Sequence, residues 1–323
     1  MRYRLACCAF AAVAVGTTAQ GAEFPAKPIT MVVPFAAGGP TDTVARLLAG
    51  PMSKALKQQI LIDNSAGAGG TIGAGKVAKA PADGYTILLY HIGMATSPAL
   101  YRRLTFDPQK SFEYIGIVND VPMTILARKG FPAKNLKELI AYVKANKGKV
   151  TLANAGLGAA SHLCGLLFQS AIETDLNTIA YKGTAPAITD LLGGHVDLLC
   201  DQTTNTTSHI QAGKVQVYAV TSATRLPSLP NVPTAKEAGL PNFEISIWHA
   251  LYAPKGTPKA VIDKLTEALQ QALKDPTVKT KFADLGAEPA SAERATPAGL
   301  EKLLKSELER WTPLIKKAGV YAD

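Results

Sequence analysis

At 323 residues, 47% of them apolar, the chain is too long for one compact core and too apolar to stay disordered, so two domains are expected. Its net charge of +9 is scattered, with no run of five basic residues and no aromatic interleaving, which argues against nucleic acid as a partner. A mild positive field suits an anionic small molecule.

In chain order, Arg2 and Arg4 precede an apolar stretch over 5–15, and the small residues Thr17, Thr18, Ala19, Gly21 and Ala22 follow. This is the pattern of a secretory signal over 1–22, cleaved near 19–22. A Leu-Ala-Cys lipidation signal at 5–7 is discounted, because no apolar region precedes the cysteine. No later segment approaches the roughly 20 uninterrupted apolar residues of a membrane span, so a soluble mature protein is expected. Export removes Cys7 and Cys8 and leaves Cys164 and Cys200. In an oxidising compartment this pair can close one disulfide; two buried thiols acting as small hydrophobes are the alternative.

Strands are predicted over 29–33, 60–62, 86–90, 114–118, 124–127, 150–153, 177–180, 196–200, 215–220 and 244–252. Helical patterns fall between them, over 42–56, 136–146, 159–171, 185–192 and 258–274. The alternation predicts an α/β architecture with mainly parallel strands. Beyond Pro258 the chain is mostly helical, and Leu300, Leu303, Leu304, Leu308, Trp311 and Ile315 form a stripe expected to pack on a sheet. Crossings between domains are expected at 119–122 and 243–254. They place 23–122 and 247–323 in one domain and 123–246 in an inserted second one, with a two-stranded hinge between.

Three glycine-rich loops follow strands: 34–43 (PFAAGGPTDT), 66–75 (AGAGGTIGAG) and 153–162 (ANAGLGAASH). Where a strand turns through glycine into a helix, the first helical N–H groups lack internal partners and carry the positive end of the dipole, so the turn can hold an anion. In the first loop, Thr41 or Asp42 is expected to cap a helix beginning at Thr43. Asp42 competes with an anionic guest for the same donors, so it is read as the cap. Loops at the carboxyl ends of strands are where open α/β sheets bind ligands, and these three are expected to face one cleft.

Other motifs are weaker. Gly70 to Val77 fits the spacing of a phosphate loop, but Val77 stands where magnesium requires a hydroxyl, and the dinucleotide pattern from Gly73 lacks its ribose-binding acid. His91, His162, His195, His209 and His249 show no metal-ligand spacing, and no nucleophile elbow surrounds Ser161. No cofactor, metal or enzymatic activity is expected. His91 follows the strand over 86–90, at an edge expected to face the same cleft, and is a candidate ligand contact.

These segments together resemble the periplasmic solute-binding proteins of tripartite tricarboxylate transporters, the TctC or Bug group. The resemblance rests on Lys27-Pro28-Ile29 leading into PFAAGGPTD, on DNSAGAGGTIGA (63–74), ADGYTIL (82–88) and ANAGLGAASHL, and on YKGTAPAITDLLGGHVD (181–197), LPNVPTAKEAGLP (229–241) and Trp248 with YAPKGTP. It implies a type II periplasmic binding protein, two α/β lobes joined by two crossings, that takes a small carboxylate. It implicates Phe35, Ala37, Gly38, Gly39, Thr41 and Asp42 from the first loop and Gly67, Ala68, Gly69, Gly70 and Thr71 from the second. Asn154, Gly156, Gly158 and Ser161 come from the third, with Gln202 and Thr203 as additions. The SHLCG, CDQTT and WHALYAP segments are similar to members that bind aromatic carboxylates such as terephthalate, for which Phe35, His91 and Trp248 would supply flat walls. The partners implied are the membrane subunits of such a transporter, served by a monomer; a periplasmic sensor subunit for a two-component system is the alternative.

Overall fold

The structure, a computed structural model, describes residues 23–322. The expected signal segment, with Cys7 and Cys8, lies outside the described residues. The first half of the chain runs β1 (Ile29–Val33), α1 (Pro40–Leu56), β2 (Ile60–Asn64), α2 (Thr71–Ala78), β3 (Thr86–His91), α3 (Gly93–Leu100) and β4 (Phe112–Arg128). Then come α4 (Leu136–Ala145), β5 (Thr151–Asn154), α5 (Ala160–Ala171), β6 (Asn177–Ala180), α6 (Thr184–Gly193), β7 (Leu198–Gln202), α7 (Thr203–Gln211) and β8 (Val215–Val220). The chain ends with β9 (Ser246–Pro254), α8 (Lys259–Lys274), α9 (Pro276–Asp284), β10 (Glu288–Pro289) and α10 (Pro297–Ala318). No helix among the described residues is long and apolar enough to cross a membrane.

Two α/β lobes result. One sheet has the order β2-β1-β3-β9-β4 with β10 against β4, and the other the order β6-β5-β7-β4 with β8 against β4. β4 belongs to both: Phe112 to Pro122 pair with β9, and Met123 to Ala127 pair with β7. The sequence predicts two short strands with a crossing between them, whereas the chain crosses as one bulged strand of 17 residues. The expectation of mainly parallel pairing is also corrected. β1 with β2 and β3, and β5 with β6 and β7, are parallel, but the other five pairings are antiparallel. The physical reason is the hinge: β4 and β9 run side by side in opposite directions, and each parallel block ends against one of them.

Strand β1 shows why the sheet forms. Ile29, Met31, Val32 and Val33 are fully buried, as β-branched and apolar residues are in a strand covered on both faces. Helix α1 buries Val44, Leu48 and Met52 at helical spacing. Its cap differs from the expectation. Gly39 is the N-cap and Pro40 opens the helix, since proline lacks the N–H that a first turn leaves unsatisfied. The stripe of α10 buries Leu300, Leu304, Trp311 and Ile315, packing on α3 as well as β4.

Cys164 on α5 and Cys200 on β7 are bonded, with Cα atoms 6.0 Å apart. The bond ties the helix that begins with Ala160 and Ser161 to the strand that ends with Asp201 and Gln202. It closes a loop with a sequence separation of 36, for which chain entropy gives roughly 2 to 4 kcal/mol of stabilisation. Reduction, or Cys164→Ser with Cys200→Ser, is expected to lower the melting temperature by several degrees. Mass analysis after alkylation, with and without reductant, checks the bond itself, and two free thiols in the untreated protein would contradict it.

Candidate functional site

Four helices begin around one small cavity. Pro40 and Thr41 open α1, Ala160 and Ser161 open α5, Thr184 opens α6, and Asp201 and Gln202 lead into α7. Phe35, His91 and Ala155 complete its wall. The cavity measures about 10 Å³, room for about one water molecule. Each helix brings unpartnered first-turn N–H groups and the positive end of a dipole, so the helices jointly favour negative charge. Among the described residues no lysine or arginine lines the space.

Of the residues singled out in the sequence, Phe35, Thr41, His91, Ser161 and Gln202 are brought together in this wall. His91 stacks on Phe35 with ring centroids 4.7 Å apart. Its Nδ1 accepts from the Gly93 N–H at 2.9 Å, which leaves the proton on Nε2. Burial pushes the pKa of this ring down to about 3, so it is a neutral donor. Ser161 Oγ accepts from the Ala155 N–H at 2.8 Å, leaving its own O–H to donate. Thr41 Oγ1 lies 3.3 Å from His249 Nε2, and His249 Nδ1 lies 2.9 Å from Asn119 Oδ1. With the amide oxygen as acceptor, Nδ1 carries the ring proton and Nε2 takes the Thr41 hydroxyl hydrogen. Thr41 then offers lone pairs to the cavity. Burial holds His249 well below the usual histidine range.

The structure corrects the expectation that amides of the glycine turns stand free for a guest. Gly38 N–H donates to Asp42 Oδ2 at 2.8 Å, and Ala36 N–H donates to the Lys182 carbonyl at 3.1 Å. In the third loop, Gly156 N–H is held by Asn154 Oδ1 and Gly158 N–H by His162 Nδ1. Asn154, Gly156 and Gly158 thus shape the loop without lining the cavity, and Ala37 and Gly38 are exposed and do not line it either. Gly39 lies against the first turn of α6.

Asp42 is not in the cavity either. Burial pushes its carboxyl up, but Arg46 Nε at 2.7 Å, the Gly38 N–H and Asn64 Nδ2 outweigh that and hold it below its ordinary value. It is an internal anion that folds the first loop. Thr203 is fully buried beside the cavity wall, with its hydroxyl 3.4 Å from the Gly286 carbonyl.

The second loop has a different place. Gly67, Ala68, Gly69 and Gly70 all have positive φ, and Thr71 Oγ1 donates to the Ala68 carbonyl. The loop meets the third loop from the other sheet: a Cβ on Gly156 would sit 2.9 Å from Gly69 N. Around it, Tyr90 Oη donates to the Gly69 carbonyl at 2.8 Å, Tyr101 Oη to the Leu157 carbonyl at 2.7 Å, and Thr96 Oγ1 to the Gly158 carbonyl at 2.8 Å. The last two of these bonds clasp the two lobes, and none of these second-loop residues lines the cavity. Trp248 is also misplaced as a flat wall: it is buried, and its indole N–H donates to Glu307 Oε2 at 3.1 Å.

Sequence reasoning missed Pro40, Ala155, Ala160, Thr184 and Asp201. Only the position of Asp201 at the end of a strand could have signalled it. Its carboxylate is 1% exposed, Oδ2 accepts from Asn205 Nδ2 at 2.6 Å, and Oδ1 has no partner. Thr184 Oγ1 and Gln202 Oε1 are likewise unpartnered. The wall thus combines donors, from Ser161, Thr184 and His91, with acceptors, from Thr41, Asp201 and Gln202.

The family model described as "Tripartite tricarboxylate transporter family receptor" matches residues 44–320. A relative from Agrobacterium vitis, the UPF0065 protein in the TAR-I ttuE-ttuC' intergenic region, is 52% identical over 92% of this chain and 86% of its own. The solved structure of the periplasmic binding protein BugD is 54% identical, with a TM-score of 0.91 over 93% of this chain and 100% of that one. MatC from Rhodopseudomonas palustris, solved with bound malate, is 41% identical, with a TM-score of 0.87 over 90% of this chain and 100% of that one. The chain belongs to the tripartite tricarboxylate transporter receptor family, the TctC or Bug group of periplasmic solute-binding proteins.

Proposed function

We propose that the exported protein captures a short aliphatic dicarboxylate between its lobes and delivers it, as a monomer, to the membrane subunits of a tripartite tricarboxylate transporter. The observation that carries this reading is the convergence of four helix N-termini, from both lobes, on one cavity without a basic side chain. Neutral donors suffice for a carboxylate, and bridging water does not weaken such a site. The lobes are assigned to 23–122 with 247–323 and to 123–246, and a guest touching both favours their closed arrangement by its differential affinity.

Aromatic guests are disfavoured by the walls. Phe35 and His91 stack on each other, and Trp248 is engaged with Glu307, so no flat surface opposes them. The mixture of donors and acceptors suits a hydroxylated diacid, and relatives solved with malate and with adipate support the aliphatic class.

A thermal-shift screen with malate, succinate, adipate, citrate, glutamate, protocatechuate and terephthalate tests the proposal. A four-carbon diacid at 100 times its Kd is expected to add about 2.7 kcal/mol of stability. A larger shift with terephthalate would replace the aliphatic assignment, and no shift with any acid would remove the function. Ser161→Ala is expected to weaken binding by about 1 to 2 kcal/mol by calorimetry. Unchanged affinity would take its hydroxyl out of the site.

A further inference from the structure

Asp201 poses a problem that the capture of an anion must solve. Its carboxylate lies in the wall of the one-water cavity with Oδ1 unpartnered, so a guest carboxylate that parts the lobes to reach this space stands directly against it. Two ionised carboxylates in one buried site repel each other strongly, and such pairs resolve the conflict by sharing a proton. Among the described residues no lysine or arginine lines the cavity to resolve it otherwise.

The charged and titratable groups on the elements around Asp201 are few. β4 brings Thr124, and Asp120 further along the strand is paired with Arg294. α1 brings Asp42, already paired with the largely exposed Arg46. β3, β9 and α5 bring His91, His249 and His162, all of which burial keeps neutral. α6 brings Asp190, bonded to Tyr181, and α7 brings Asn205 and, at its far end, His209. Lys182 is exposed and does not line the cavity. Asp201 therefore has one close hydrogen bond, from Asn205, weaker favourable contacts with the Gln202 N–H and the Thr184 hydroxyl, and, among the described residues, no counter-charge at Oδ1.

We infer that Asp201 is a specificity-determining residue that takes up a proton when the guest binds, and then donates a hydrogen bond from Oδ1 to a guest oxygen. The inference rests on the proposed capture of a dicarboxylate and deepens it. In the step, a proton from solvent adds to Asp201 as the diacid enters, so the site gains one negative charge instead of two. Burial already pushes the free carboxyl up to about 6, against hydrogen bonds from Asn205, the Gln202 N–H and Thr184 that favour its ionised form. A second anion raises it further. The sign follows from linkage: binding is pH-independent below the free pKa and weakens above it, because the proton must then be taken from a more dilute pool.

Calorimetry of the wild-type protein with malate, and with succinate as a control lacking the hydroxyl, reads this directly. Titrations at pH 7 in buffers of different ionisation enthalpy are expected to report uptake of nearly one proton. The Kd is expected to rise about fivefold from pH 6 to 7 and about tenfold from pH 7 to 8. Asp201→Asn keeps a donor amide but cannot titrate, so its Kd is expected to be flat over this range and lower than that of wild type at pH 8. A residue that only supports the fold would give no such crossover. Binding of either acid with no proton uptake and a flat wild-type profile overturns this inference alone. Failure of both acids to bind overturns it together with the four-carbon assignment.

Discussion

Gly69→Ala is expected to weaken ligand capture by 100-fold or more while leaving the folded protein able to form. The Cβ added at Gly69 would overlap the Leu157 carbonyl oxygen, a backbone atom of the facing loop, and would come within 2.9 Å of Tyr101 Oη. No rotamer relieves a clash with backbone. The lobes can avoid it only by standing apart, which breaks the Tyr101–Leu157 and Thr96–Gly158 hydrogen bonds between them. If the closed arrangement falls to about one part in a hundred, the apparent Kd rises by the same factor.

A second cost must be separated from this one. Gly69 has φ of +60°, and any residue with a side chain loses roughly 1 to 2 kcal/mol there whatever surrounds it. Gly130→Ala isolates that cost, because Gly130 has φ of +76° and no atom within 4 Å of the added Cβ. Both variants are expected to melt slightly lower, but only Gly69→Ala should lose affinity by calorimetry and stay extended by small-angle scattering when ligand is added. Equal affinities of the two variants would show that the clasp does not control closure.

The clasp also shows what sequence can and cannot disclose. Glycine-rich turns at strand ends were legible, because only glycine tolerates positive φ and close backbone approach. Their placement near the cleft followed from the α/β pattern. Their roles did not follow, since an amide that looks free in a motif can be taken by a side chain a few residues on, as Asp42 takes Gly38 and His162 takes Gly158. Helix α7 was invisible for a different reason. Its segment TTNTTSHIQ carries almost no apolar residue, yet Thr203, Thr204, Thr206 and Thr207 are buried, two of them bonded to the Gly286 and Leu285 carbonyls. Periodicity finds apolar faces, and this face is made of hydroxyls. Asp201 was hidden because its place at a strand end is the one local mark of a carboxylate whose environment is assembled from α5, α6 and α7.

Glu307→Ala is expected to destabilise the protein by about 3 to 5 kcal/mol, with the loss centred on the hinge. Both tryptophans of the chain donate to the same oxygen, Glu307 Oε2: Trp248 from β9 at 3.1 Å and Trp311 from α10 at 3.0 Å. All three residues are buried. Removing the carboxylate leaves two indole N–H groups without a partner, each costing about 1 to 3 kcal/mol, and opens a void beside them. Glu307→Gln retains an acceptor oxygen of the same reach and should recover most of the loss, which a purely electrostatic role would not allow. Because the chain has no other tryptophan, fluorescence-detected urea unfolding reads this cluster alone. Trp248 pairs with Asp120 across the β4–β9 crossing, and Arg294 holds Asp120 from the other side, so the cluster fixes where the crossing strands leave the first sheet. A loss below about 1 kcal/mol for Glu307→Ala would mean that water satisfies the indoles, and that the crossing owes its position to the strand pairing by itself.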